Sequence, residues 1–142
     1  MNAHKAITVI AFDYGLKTIG VAVGQSLTQT ANPLAEIKAN DGVPTNWQEI
    51  EQLLKEWQPD TCVVGLPLNM DGSRSEMCTR AEKFARRLNG RFGVNVTTMD
   101  ERLSSFEARG DIIEHTGSRD FKQQGVDSWS AKLILESWFN QP

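Results

Sequence analysis

The 142-residue chain holds 39% hydrophobic and 23% charged residues, the balance of a globular protein large enough for one domain with its own core. Its 15 basic and 18 acidic residues give a net charge of −3, which excludes a global pull towards nucleic acid or acidic lipid and leaves such binding to local patches. With two cysteines, Cys62 and Cys78, and two histidines, the sequence argues against a structural zinc site and for reduced thiols in the cytoplasm. No leader-like segment opens the chain, and no apolar run is long enough to span a bilayer.

Ile7 to Phe12 is apolar and branched, as in a buried strand, and Asp13 interrupts it. Gly15 and a second apolar run, Ile19 to Val23, complete a predicted hairpin with Asp13 at its tip. Asp13 there either caps the turn or, being costly to bury unpaired, holds a cation. Thr28 to Leu34 reads as turn-like, with Asn32 and Pro33, and Leu34 to Ala39 as a short third strand. Asn40 to Pro44 reads as a loop punctuated by Asp41-Gly42. Asn46 is the expected cap of a helix with Glu49 as capping-box partner, apolar positions Ile50, Leu53, Leu54 and Trp57, and Pro59 as its end.

Thr61 to Leu66 is continuously apolar, as in a parallel strand covered on both faces. The loop from Pro67 to Ser73 follows its carboxyl end, the place where open α/β sheets bind ligands. The next helix is predicted from Arg74 to Asn89, with Gly90 as its stop. From Arg74 to Arg91 there are six basic and two acidic residues, either a solvated face or a phosphate-contact patch. Val94 to Met99 is a further strand, and it too runs out into carboxylates, Asp100 and Glu101. Ser104 and Glu107 mark a helix start; 117–125 is polar, with two glycines, and reads as a flap. The last helix, from about Asp127 to Asn140, buries Ala131, Ile134, Leu135 and Trp138, and Asp127 lies on that same stripe.

The predicted architecture is therefore α/β: a mixed central sheet, a three-strand antiparallel meander plus parallel strands, flanked by helices. If the last helix crosses the first strand, Asp13, the Asp100-Glu101 pair and Asp127 converge. Such an oxygen cluster suits Mg²⁺ or Mn²⁺, which removes the repulsion among the acids and can organise in-line phosphoryl displacement without a histidine base.

Four blocks in order carry a resemblance over nearly the whole chain: FDYGLKTIGVAVG (Phe12 to Gly24), VVGLPLNMDGS (Val63 to Ser73), DERLSS (Asp100 to Ser105) and VDSWSAKLILES (Val126 to Ser137). With these the chain resembles the YqgF/RuvX family of Holliday-junction-resolvase-like nucleases. The resemblance implies a single ribonuclease H-like nuclease domain over 1–142 and a cytoplasmic bacterial enzyme. It implies processing of the 5′ end of precursor 16S rRNA in ribosome biogenesis. It also implies acidic metal ligands at Asp13, in the DERLSS block and at Asp127. Within that block Glu101 has the longer reach, with Asp100 as the alternative; strand alternation lets only one of them face the site. The strand Thr61 to Leu66 carries no acid, unlike better-known ribonuclease H enzymes, so the later strand must supply it.

Nucleic-acid contacts are expected from Lys17 in the hairpin turn and Asn69 in the loop after Leu66. Arg80, Arg86 and Arg87 on the basic helix, Arg102 beside the acids, and Arg119 and Lys122 in the flap are further candidates. The expected partners are precursor rRNA or branched DNA, with the ribosome as a further partner and a monomer or homodimer as the active form. Two alternatives stay open beside the rRNA nuclease: a branched-DNA resolvase and a non-catalytic RNA-binding assembly factor. Asp13-Tyr14-Gly15 with Lys17 also resembles the phosphate-binding hairpin of the actin-like ATPases, but the chain is too short for their two lobes.

Overall fold

A computed structural model of the chain describes residues 6–69, 71–100 and 126–140. Val9, Ile10, Ala11 and Phe12 are fully buried, and this two-sided burial sets β1 (Thr8–Asp13) inside the sheet. β2 (Thr18–Gln25) pairs antiparallel with β1, and β3 (Thr30–Asn40) pairs antiparallel with β2. On the other side β5 (Thr61–Leu66) runs parallel to β1, and β6 (Val96–Asp100) parallel to β5. With β4 (Val43–Pro44) on the outer edge, the order is β4-β3-β2-β1-β5-β6.

Alternation along the strands divides the core in two. Ile10, Phe12, Ile19, Val21, Cys62 and Val64 pack against α1 (Trp47–Trp57) and α2 (Glu76–Phe92). Val9, Ala11, Ala22, Ala31, Val63 and Met99 pack against α3 (Val126–Phe139) through Ala131, Ile134 and Leu135. The α3 side is lined by small residues, so the helix lies close to the sheet. A Cβ at Gly24 would come within 3.0 Å of the Phe139 ring. Among the described residues no helix is long and apolar enough to cross a membrane.

α2 starts at Glu76 and β6 at Val96, each two residues later than expected, and three larger differences have a structural cause. β3 begins at Thr30 and includes Asn32 and Pro33, read above as a turn. Proline is tolerated because β4 pairs with β3 only at Ala39 and Asn40, so the other edge at Pro33 asks for no N–H; Leu34 is accommodated as a bulge between Pro33 and Ala35. Asn40 to Pro44 is a hairpin rather than a loop, its two-residue turn Asp41-Gly42 having φ of 51° and 83°. α2 runs through Gly90 to Phe92 and stops at Gly93, whose φ of 69° lets its N–H reach the Asn89 carbonyl at 2.9 Å. Phe92 keeps the last turn in place by packing on Trp47, with ring centroids 6.2 Å apart. The first helix matches its cap: Asn46 accepts from the Gln48 N–H at 3.0 Å. The helix predicted from Ser104 and the flap at 117–125 lie outside the described residues.

The Asp41-Gly42 turn is clasped to the β1–β2 turn. The Tyr14 hydroxyl donates to the Gly42 carbonyl at 2.8 Å, and the Gly42 N–H donates to the Leu16 carbonyl at 2.9 Å. A Cβ at Gly42 would lie 1.9 Å from the Tyr14 hydroxyl oxygen, on a backbone that already disfavours any side chain. Gly42→Ala is expected to lower the unfolding free energy by about 2 kcal/mol. An unchanged urea midpoint would show that the turn does not depend on this clasp.

Candidate active site

Asp13 is the first residue after the four buried positions of β1, and it is half-buried. It continues the Val9, Ala11 series, so its side chain belongs to the α3 side of the sheet. Directly across the strands Asp13 pairs with Gly20, and Gly20 with Glu36. The Glu36 carboxylate therefore stands two strands away, about 10 Å at ordinary strand spacing, with no side chain between. The first turn of α3 lands on this row: the Ser128 N–H donates to Glu36 Oε2 at 3.4 Å. Asp127 precedes Ser128 in the same helix. No sequence motif marks Glu36. Only the register puts it in one row with Asp13, two strands away, although the strand expected over Leu34 to Ala39 already turns Glu36 and Ile37 to opposite faces.

Asp100 ends β6 opposite Leu66. Met99 belongs to the α3-side core, so alternation turns Asp100 to the α2 side, away from the Asp13 face. The effect is felt at Cys78 in α2, whose thiol is pushed up by burial first and by the Glu82 and Asp100 charges after it. Glu101, Arg102, Arg119, Lys122 and the side chain of Asp127 lie outside the described residues. Among the described residues no group of three His, Cys, Asp or Glu side chains could hold a metal ion.

Asn69 sits in a loop that closes on itself. Its amide donates to Ser73 Oγ at 3.0 Å, Ser73 Oγ donates to Asp71 at 2.6 Å, and the Asn69 N–H bonds the Ser73 carbonyl at 2.9 Å. Ser75 then caps α2 by accepting from the Cys78 N–H at 3.0 Å. Lys17 is exposed in the β1–β2 turn. The basic residues of α2 do not form one face. Arg80, Lys83 and Arg87 line a cleft with Tyr14, whereas Arg86 lines a separate hollow with Glu82, Asn89 and Thr98. Arg91 lies over the Trp47 ring, 4.2 Å from its centroid.

Cysteine chemistry does not compete with the acids. Cys62 is fully buried in β5, and burial pushes its thiol up to about 12 from 9. A raised value favours the protonated folded state. The stability it supplies is complete below pH 9 and is lost as pH rises from 9 towards 12. Urea midpoints should fall over that window, less steeply in Cys62→Ala; an identical slope in the variant would assign the fall to other groups.

A three-strand antiparallel meander continued by two parallel strands, with helices on both faces and a carboxylate where the central strand ends, is the ribonuclease H-like class of nuclease fold. Solved structures of that class superpose accordingly. Thermus thermophilus RuvC aligns at TM-score 0.56 and 12% identity over 94% of each chain. RuvC from the same organism in complex with a Holliday junction substrate aligns at 0.54 and 15% identity, over 94% of this chain and 93% of that one. The family model RuvX, described as Holliday junction resolvase, matches residues 7–141. A protein of Photobacterium profundum named "Putative pre-16S rRNA nuclease" is 58% identical over 94% of both chains. One of the same name from Pectobacterium carotovorum is 56% identical over 95% of this chain and 96% of its own length. The chain belongs to the RuvX family.

Proposed function

We propose that this chain is a metal-dependent phosphodiester hydrolase that trims the 5′ end of precursor 16S rRNA in the cytoplasm during ribosome biogenesis. The observation that carries this reading is the row Asp13–Gly20–Glu36, on which the first turn of α3 docks. It brings the backbone next to Asp127 to the face on which Asp13 stands, although the two are far apart in sequence. Asp13, Glu101 and Asp127 are the proposed ligand set for Mg²⁺ or Mn²⁺. Asp100 belongs to the α2 side, which favours Glu101 as the acid of its block. An all-carboxylate donor set fits a hard dication. Such an ion, when bound, acidifies water and stabilises the charge that builds on phosphoryl oxygens.

The remaining residues bind and orient. Lys17 and Asn69, exposed near the carboxyl ends of β1 and β5, are the proposed contacts to the strand entering the site, and the basic residues of α2 the proposed contacts to its backbone. RNA is the proposed substrate because the relatives matched over nearly their whole length are named for precursor 16S rRNA. The family description supports a second reading, a four-way DNA junction as substrate.

Both readings are tested on one protein, with labelled precursor RNA and a labelled four-way junction as substrates. Mg²⁺- or Mn²⁺-dependent cleavage of RNA is expected. Asp13→Asn, Glu101→Gln and Asp127→Asn should each lower it at least ~100-fold, the scale of losing a principal element of charge stabilisation. Cleavage surviving all three changes would place the chemistry elsewhere. RNA that is bound and never cut would make the chain an assembly factor on this scaffold.

A further inference from the structure

Consecutive residues of β1 and its exit point to opposite sides. Asp13 stands on the α3 side, while Tyr14 turns to the α2 side and floors a cleft of about 560 Å³. The floor is rigid. Tyr14 packs on Phe84 with centroids 5.3 Å apart, Trp47 stacks on Phe84 at 6.1 Å, and the Tyr14 hydroxyl is tied to Gly42.

The charges around this floor are unevenly satisfied. Arg80 is held by Asp41 at 3.2 Å and lies 4.0 Å from Glu76. Lys83 and Arg87 follow at i+3 and i+7, one turn apart, and neither pairs with a carboxylate among the described residues. Like charges one turn apart repel. Four other described basic residues pair with carboxylates, in Lys55–Glu51, Arg74–Glu82, Arg80–Asp41 and Lys132–Glu136; what sets Lys83 and Arg87 apart from the remaining exposed cations is that they line one cleft together. An anion between Lys83 and Arg87 would remove that repulsion. Asp41 and Glu76, on the same rim, confine it to that end of the cleft.

We propose that this cleft seats a backbone phosphate of the polynucleotide, gripped by Lys83 and Arg87, on the flank of the strand whose scissile bond lies at Asp13. The inference rests on the nucleic-acid reading above, but not on cleavage. Because Tyr14 follows Asp13, the seat and the proposed acidic site share one support, and a strand anchored here is held in fixed register with the acids.

The test uses the Asp13→Asn chain, so binding is read without cutting. Fluorescence anisotropy of a labelled single-stranded precursor RNA is followed across a salt series. Lys83→Ala with Arg87→Ala should weaken binding roughly tenfold and reduce the salt slope by about 1 to 2. Lys83→Arg with Arg87→Lys should retain both. Lys38→Ala with Lys55→Ala, the same charge change away from the cleft, should leave both nearly unchanged. Thermal melts check folding; Lys83 and Arg87 are exposed, so their removal should not lower the melting temperature. Equal losses in the two alanine pairs, or an unchanged slope in the cleft pair, would overturn the proposal. So would a free mononucleotide that displaces RNA from the parent but not from the cleft variant, since the seat would then belong to a small ligand. Tight, cleft-dependent RNA binding, together with no cleavage by the unsubstituted chain in Mg²⁺ or Mn²⁺, would refute the nuclease reading and leave this one standing.

Discussion

The two-sided burial of β1 is the constraint on which the rest depends. Ile10 and Phe12 need α1 and α2 above them; Val9 and Ala11 need α3 below. Neither layer can be removed without exposing fully buried side chains of the same strand, each worth roughly 1.5–3 kcal/mol on full burial for the larger ones. Asp13 is the first residue of β1 after the fully buried run, so a carboxyl group appears where the packing on the α3 side of this strand stops. Its place is set by the strand and not by a loop, and a side chain is held more precisely on a strand than on a loop.

The α3 side owes its geometry to what is missing from it. Gly20, Ala22 and Gly24 in β2, Ala11 in β1 and Ala31 in β3 give a shallow surface, and α3 settles onto it through Ala131, Ile134 and Leu135. Glu36 meets the start of that helix at the Ser128 N–H, where an anionic group is favoured by the unpaired donors of a first turn. The α1/α2 side is built the other way, from large rings. Phe12 and Phe84 meet edge to face at 5.6 Å, and Tyr14 and Trp47 extend the cluster to the surface. A helix approaching close and a cleft standing open are thus the two outcomes of small and large side chains on opposite sides of one sheet.

The basic residues on and just before α2 divide into those committed to a partner and those that are not. Arg74 is committed to Glu82, Arg80 to Asp41, and Arg91 to the face of Trp47. Those contacts hold the helix against the β3–β4 turn, its own first half and α1. Lys83 and Arg87 contribute to none of them, and their cost in mutual repulsion has no structural return among the described residues.

The sequence by itself determined the strands and helices whose signals are local. The apolar run at 61–66, the cap at Asn46 and the stripe Ala131, Ile134, Leu135 all stand where spacing placed them, because each is decided by neighbours within a few residues. It determined Asp13 as a chemical group at a strand end for the same reason, and four spaced blocks made the family legible. Its misplacements fell where a distant partner overrides local preference. Pro33 lies in a strand because no neighbour needs its N–H, and α2 passes Gly90 because Phe92 finds Trp47. Only the tertiary structure put Glu36 in a row with Asp13, turned Asp100 to the other side, and split the basic residues of α2 between two hollows. Register and helix rotation are set by how strands from distant parts of the chain pair and pack, and no spacing within one segment encodes that.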